Sequence, residues 1–541
     1  MAVRMSQSAS AEIAGGRTSN RTPLSSVIRL TLICCLLIYA ILRTIWVPSD
    51  GAVSGGFSHD SAYLSIVSEQ VRLGHGLVNP ADWLLILHPR ALPMPYHNAN
   101  PGFPLLMAAT AGMLHLDVVR CGFLISALSN VLLVFAVFEI VLHFAGNWRF
   151  AALSSVVVAV FPSNWIDSLS LLPDALSTSL AVAAIAVLIC GRGPFAAVIT
   201  GLLLGTAWLN RSSAILTIPP ILWWIFRTRP RVAALKTAGC LLAVFAVVIS
   251  PWLIYTYQVW GTPFRSDAGI YLMQNYYAHL LHGNVDQFWR SLDTPPPLAV
   301  VLETHPFDFV AFYLHNLPFL FYFMRASVSG WDKMVALLYL LFTALGFLRW
   351  RVYCRTPEFE AGALMLILTL GILDIRAQSF EQRYLGPALV LWVLWMLLAL
   401  RDHLRSLHWS LQAALAVVAV LCGVLVTYQD FRNFQSRTQA DPILVAWRRD
   451  TRALASEVVR GGRVMIQNPY FYTWFTGKTA LSPPYASKDK MLAFMHYYRT
   501  SYLALPTISM NYFYPRAIQQ LAPELRPLRQ VGEFTVFEAA P

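Results

Sequence analysis

Runs of roughly seventeen or more mainly apolar residues recur along this chain, and no other feature limits its folding so strongly. Each run is long enough to cross a hydrocarbon core of roughly 30 Å as a helix. In lipid the backbone must satisfy its own hydrogen bonds, which leaves helices and closed barrels as the spanning structures. Spans are expected near 27–47, 119–143, 150–166, 171–190, 195–210, 212–226, 236–257, 333–349, 360–376, 384–400 and 409–428. With 57% hydrophobic and only 13% charged residues, against about a quarter charged in soluble domains, the chain reads as an α-helical polytopic membrane protein. The expected count is about eleven transmembrane helices.

The short connections carry basic residues: Arg149, Arg192, the group Arg227, Arg229, Arg231 and Lys236, then Arg349, Arg351 and Arg355, and finally Arg401 and Arg405. All fall on one side together with the Arg-bearing N-terminus, which the positive-inside rule makes cytoplasmic. The loops 48–117 and 258–332 and the tail after 429 then face the periplasm or cell exterior, in a multi-pass protein of the cytoplasmic (inner) membrane. Topology also accounts for the formal net charge of +12. The basic residues sit at span ends instead of forming the patch or recognition helix that a nucleic-acid partner requires.

The first apolar run lacks a clear small-x-small cleavage site and is followed by further spans, so it reads as a retained helix and not a signal peptide. The seven cysteines (Cys34, Cys35, Cys121, Cys190, Cys240, Cys354 and Cys422) lie in or beside expected spans, which implies neither a disulfide framework nor a CxxC metal site.

Three parts are expected. Residues 1–25, rich in Ser, Arg and Gly, read as a disordered cytoplasmic lead. Residues 26–429 form the transmembrane part, and 430–541 are long enough for a small extracytoplasmic α/β domain. In the first outer loop Tyr63, Ile66, Val67 and Val71 mark one face of a short helix lying at the membrane surface. A second short helix is expected after Asn100–Pro101, through Leu105, Met107 and Leu114. The second outer loop holds Tyr271, Tyr276, Tyr277, His279, His282, Trp289 and Phe307, which read first as an interfacial belt and second as a surface for a lipid-linked or sugar-like ligand. In the tail, strands at Arg463–Ile466 and Phe534–Glu538 and a helix near Lys488–Tyr498 are expected, serving acceptor recognition or capping of the outer face. There is no repeat at a solenoid period and no G-x-G-x-x-G or Walker signature.

Hydrogen-bonding groups held at a membrane face are costly unless water, a partner or a substrate uses them. The loop 48–117, with His59, Asp60, Tyr63, His97, Asn98 and Asn100, is therefore the first place to seek function. Asp60, shortly after the first span, suits a general base with its pKa tuned upward by partial burial, or a metal ligand; a helix N-cap is the plain alternative. Asp174, in Leu172-Pro173-Asp174, is again a cap favoured by the positive helix N-terminus, or a substrate contact. Arg211 and Arg383 are both expected at outer span ends, where a forked and permanently charged guanidinium suits the phosphate of a lipid carrier. For Arg383, an ion pair with Glu381 explains the charge equally well. His279 and His282, three apart, could share a helix face, but the remaining ligands of a metal site cannot be named.

Taken in order, these residues resemble the GT-C class of membrane glycosyltransferases. The matching pieces are Asp60 and Tyr63 with Leu73-Gly74-His75-Gly76, then Asn100-Pro101-Gly102-Phe103-Pro104-Leu105-Leu106. They continue with Leu172-Pro173-Asp174, Gly201-Leu202-Leu203-Leu204-Gly205, Leu209-Asn210-Arg211 and Arg383-Tyr384-Leu385-Gly386-Pro387. The similarity is to the glycosyltransferase family 39 type, which includes protein O-mannosyltransferases and bacterial lipid A aminoarabinose transferases. Two departures stand out: Ser61 follows Asp60 where many relatives carry an acidic pair, and His97-Asn98-Ala99-Asn100 stands where several have Glu-Lys before the prolines.

The resemblance implies inverting transfer of a sugar from a polyprenyl-phosphate donor to an acceptor hydroxyl of a glycolipid, polysaccharide or protein, at the outer face of the cytoplasmic membrane. Asp60 would be the base, Arg211 and Arg383 would bind the donor phosphate, and His59, Tyr63, His97, Asn98, Asn100, Asp174 and Tyr384 would contact substrate. No cofactor is required, and a divalent metal is left open. A transporter or flippase of lipid-linked sugars is the alternative from another class. Transporters favour paired broken helices with midplane sites, whereas here the polar residues collect at one face.

Overall fold

The computed structural model describes residues 57–82, 92–159, 168–263, 268–280, 298–312, 356–374, 440–458, 463–484, 488–506 and 525–539, apart from Asn98 and Arg192, with scattered positions elsewhere. Helix α1 (His59–Arg72) opens with a capping box: the Ser61 amide donates to Ser58 Oγ at 3.2 Å and the Ser58 amide donates to Ser61 Oγ at 3.0 Å. Strands β1 (Val78–Asn79), β2 (Ala81–Asp82) and β3 (Met94–Pro95) follow, with β1 and β3 antiparallel. Helix α2 (Gly102–Leu114) starts directly after Pro101, where the proline signal places it.

The bundle comprises α3 (Val118–Ala145), α4 (Trp148–Ala159), α5 (Asp174–Cys190), α6 (Gly193–Asn210), α7 (Ile218–Thr228) and α8 (Arg231–Trp260). By length and composition α3, α6 and α8 can each cross a membrane, while α2 and α5 are shorter apolar helices. Helix α5 sits at the centre, buried from Asp174 through Ala186. Its run of Ala, Ser and Thr lets neighbours approach closely, the usual device where helices cannot rely on water to drive them together. Glycines do the same between α6 and α8. A Cβ on Gly201 would meet the Leu241 carbonyl oxygen at 2.6 Å, and one on Gly205 would meet Val248 Cβ at 2.7 Å.

Two expectations change. The span at 212–226 is not one α-helix: a 3-10 turn over Ser212–Thr217 gives way to α7, whose first turn holds Pro219 and Pro220. Proline lacks the amide that a continuous helix needs and is tolerated only in a first turn, so the helix restarts there. Laid end to end, the two pieces still reach roughly 28 Å. The second change concerns α1, whose face of Tyr63, Ile66 and Val67 is buried inside the protein and does not lie on a bilayer surface. Expected spans 333–349 and 409–428 lie outside the described residues.

Helices α9 (Ala268–Leu280) and α10 (Leu298–Thr304) fall in the segment 258–332. There Met273, Tyr276, Val301, Phe309 and Phe312 form a small cluster separate from the main core. Helix α11 (Pro357–Asp374) is tied to the far end of α7, where Glu360 accepts from Arg227 Nε at 2.8 Å and from Trp223 Nε1 at 3.0 Å.

The C-terminal segment contributes α12 (Pro442–Ala453), β4 (Arg463–Ile466), α13 (Pro469–Thr476), β5 (Ala480–Leu481), α14 (Lys488–Tyr497), β6 (Thr500–Pro506), β7 (Leu525–Val531) and β8 (Phe534–Ala539). The strands at 463–466 and 534–538 and the helix from 488 thus form where the sequence places them. The six-stranded sheet runs β2-β5-β4-β6-β8-β7, parallel from β2 to β6 and antiparallel beyond. Its first strand comes from the segment between α1 and α2, with Ala81 opposite Ala480 and Asp82 opposite Leu481. An isolated bridge between Ser54 and Ala440 makes a further link between the same two parts of the chain.

Gly205→Ala should cost about 1–3 kcal/mol through overpacking of α6 on α8, seen as a lower thermal midpoint of the detergent-solubilised protein. Gly239→Ala in α8, where an added Cβ meets nothing within 4 Å, should leave that midpoint unchanged or raise it.

Candidate active site at one end of the bundle

The starts of α1, α2 and α5 and the end of α6 meet at one end of the bundle through polar contacts. Ser61 Oγ, in the first turn of α1, donates to the Leu171 carbonyl at 3.1 Å, three residues before α5 begins. Ser177 Oγ of α5 donates to the Ala207 carbonyl of α6 at 3.2 Å. The Asn100 side-chain amide donates to the Trp208 carbonyl. A Cβ on Gly102 would meet the Leu209 carbonyl oxygen at 2.7 Å, so only glycine lets the start of α2 lie this close to α6.

At this junction Asp174 has its side chain fully buried and paired with Arg211 Nε at 2.7 Å, while about a fifth of the Arg211 side chain stays accessible. Asp174 is not a cap: the N-cap of α5 is Pro173, which makes no side-chain capping bond. A carboxylate removed from water is tolerable only with a close countercharge, and Arg211, just past α6, supplies it. The guanidinium is permanently charged and forked, so it can hold a carboxylate and still present donors to a second anion.

Asp60 lies in the first turn of α1 and is exposed. Ser58 performs the capping that the sequence left open for Asp60. Tyr63 is buried against Tyr96 (ring centroids 5.6 Å, nearly parallel) and Tyr470 (5.0 Å). Burial pushes the Tyr96 phenol well above its ordinary pKa, so it stays protonated and donates to the Asn100 carbonyl at 3.2 Å. His97 is buried edge-on to Trp260 at 5.6 Å, and half-buried His59 lies 4.6 Å from the Tyr470 ring. Asn98, Arg383 and Tyr384 lie outside the described residues, as does His282. Gly386, three residues after Arg383, is described: its Cα faces Thr178, one turn along α5 from Asp174, so closely that a Cβ would collide with the Thr178 side chain.

Sequence reasoning missed Ser61, Tyr96 and the helix α13. The Ser58-x-x-Ser61 spacing was the available signal for the first, and the aromatic run Tyr470-Phe471-Tyr472-Thr473-Trp474-Phe475 was the signal for the last. Among the described residues no three His, Cys, Asp or Glu side chains gather to hold a metal ion. Asp174 faces a guanidinium, and Ser61 gives its hydroxyl hydrogen to the Leu171 carbonyl.

Removing either partner of the buried pair, by Asp174→Ala or Arg211→Ala, should cost about 3–5 kcal/mol, because the remaining charge is stranded. The double variant should lose less than the two single losses combined. A double-mutant cycle on unfolding in detergent measures this coupling.

No protein-family model matches the sequence, and no curated protein matches it. Among solved structures, the archaeal oligosaccharyltransferase AglB from Archaeoglobus fulgidus, in complex with an inhibitory peptide and a dolichol-phosphate, superposes with a TM-score of 0.62 at 12% identity, over 96% of this chain and 75% of that one. The apo form of the Archaeoglobus fulgidus oligosaccharyltransferase gives 0.61 at 14% identity, over 91% of this chain and 71% of that one. ArnT from Cupriavidus metallidurans, bound to undecaprenyl phosphate, gives 0.54 at 12% identity, over 94% of this chain and 99% of that one. This chain is a helical membrane protein with the fold of the GT-C glycosyltransferases.

Proposed function

We propose that this protein is an inverting glycosyltransferase that moves a sugar from a polyprenyl-phosphate donor to an acceptor hydroxyl of a glycolipid, polysaccharide or protein. The observation that carries the reading is the linkage of an exposed carboxylate to a partly accessible guanidinium across one end of the bundle. Asp60 sits beside Ser61, Ser61 bonds to Leu171, and three residues further on Asp174 holds Arg211. The GT-C fold supports the reaction class, and the similar structures that contain dolichol-phosphate and undecaprenyl phosphate support the donor class.

In this mechanism Asp60 accepts the acceptor hydroxyl proton as the oxygen attacks the anomeric carbon. The carbon–oxygen bond to the phosphate breaks, and its electron pair leaves with the polyprenyl phosphate. Negative charge grows on the phosphate, where Arg211 and Arg383 offset it; preorganised donors aimed at developing charge are usually the largest catalytic term. His59, His97, Asn98, Asn100 and Tyr384 line the approach of sugar and acceptor, and Tyr63 supports them from the aromatic interior. The reacting end faces the periplasm or cell exterior, opposite the Arg227 end of α7, in keeping with the positive-inside rule. The second outer loop is proposed to lie in the headgroup layer, and the C-terminal sheet to cap the outer face.

Asp60→Asn should leave the protein inserted and folded but reduce sugar transfer by at least about a hundredfold, the lower range for loss of a general base. The measurement is release of polyprenyl phosphate by the purified protein in proteoliposomes supplied with a polyprenyl-phosphate sugar. Full activity in this variant would remove Asp60 from the mechanism. Movement of the intact lipid-linked sugar across the bilayer, with no phosphate released, would establish the flippase instead. Arg383→Ala should weaken donor binding more than acceptor binding, and equal losses would make Arg383 structural.

A further inference from the structure

We infer that Tyr470 is a positioning residue for Asp60, holding the first turn of α1 from the side opposite the bundle; this deepens the proposed function and rests on Asp60 being the base. The Tyr470 ring is 2% exposed and meets two residues of α1, His59 at 4.6 Å and Tyr63 at 5.0 Å between centroids. These two are four apart and share a helix face, with Asp60 between them in the chain. Phe471 adds an edge contact to His59 at 6.1 Å and a tilted contact to Phe57 at 6.2 Å, and Trp474 meets Phe57 at 6.2 Å. On its other side the same turn is fastened by Ser61 to the Leu171 carbonyl.

A helix first turn has few internal hydrogen bonds and frays unless something outside it packs against it. Here the packing comes from α13, the helix that connects β4 to β5 in the sheet that β2 completes. Through Tyr470 and His59 the C-terminal segment thereby bears on the first turn of α1. Loss of the ring widens the arc that the Asp60 carboxylate sweeps, and a misplacement of about 1 Å is enough to cost up to roughly a hundredfold in rate. The ring makes this contact, tilted by 42° to His59 and 41° to Tyr63.

The test compares Tyr470→Phe, Tyr470→Leu, Asp60→Asn and Phe475→Leu as full-length proteins in nanodiscs, with polyprenyl phosphate release as the readout. Phe475 lies on the same helix, stacked on Phe471, and serves as the packing control. Tyr470→Phe should keep kcat within about threefold. Tyr470→Leu should lower kcat at least about tenfold, with donor KM within about threefold and the acid limb of the kcat profile displaced. Phe475→Leu should lower the thermal midpoint with kcat unchanged. If Tyr470→Leu does not fold, Tyr470→Met fills the volume without the ring and carries the same expectation.

Wild-type kcat in Tyr470→Leu, or equal losses in the Phe and Leu variants, would overturn the inference while Asp60→Asn remained inactive and the base assignment stood. An active Asp60→Asn would overturn both.

Discussion

The Asp174–Arg211 ion pair is the interaction on which the arrangement of the site depends. Asp174 opens the central helix and has no accessible side-chain surface, so its charge requires a cation within contact distance. Arg211 can supply it only if α6 ends at the level where α5 begins. That single alignment brings the Ala207 carbonyl to Ser177, the Trp208 carbonyl to Asn100 and the Leu209 carbonyl against Gly102. All three carbonyls belong to the last turn of α6, where backbone acceptors are open to partners from outside the helix; the Ala207 carbonyl also accepts the Arg211 amide at 2.9 Å. The same ion pair thus places α2 and, through Leu171 and Ser61, α1.

Around that alignment the bundle is held by close approach as much as by apolar bulk. Gly201 and Gly205 admit α8, Gly122 admits Leu171, and Gly386 admits Thr178. The outward side of α8 keeps Val247 and Ile254 exposed, as a helix bordered by lipid on one side would. At the site end the aromatic rings of Tyr470, Tyr63, Tyr96, Trp252 and Tyr255 run in sequence from the C-terminal segment to α8, with centroids 5.0–6.0 Å apart. Tyr255 closes the series by donating to the Leu77 carbonyl at 3.1 Å. Hydroxyls and rings together make an apolar body with polar tips, suited to the boundary between membrane and water.

Much of this was legible in the sequence because apolar length is a direct consequence of bilayer thickness. Helices α3, α6 and α8 stand at the expected spans, and α2 starts at its proline. The break before α7 was written in Pro219 and Pro220 but was outweighed by the apolar character of 212–226. Strand β4 reads as a short buried apolar run and β8 as an alternating one, whereas β2, two residues long, shows no period and is defined only by its partner β5. The contacts of Tyr470 with His59 and Tyr63 join residues some four hundred positions apart, and no local pattern reports such a meeting. Asp60 and Arg211 stand out by their chemistry, yet what ties the helix start that carries Asp60 to the segment leading into α5 is Ser61, a residue with no chemical claim of its own.

Completion of the sheet by β2 gives the protein an order of assembly. Ala81 and Asp82 are made early in synthesis, but their partner β5 is made roughly four hundred residues later, a delay on the order of half a minute at usual elongation speeds. Through that interval the segment carrying β2 waits with its strand unmatched and with His59 and Tyr63 lacking the Tyr470 ring. A ribosome that stalls before α13 leaves the first turn of α1 without that cover, so this end of the fold is completed only after Pro469–Thr476 and Ala480–Leu481 have been made.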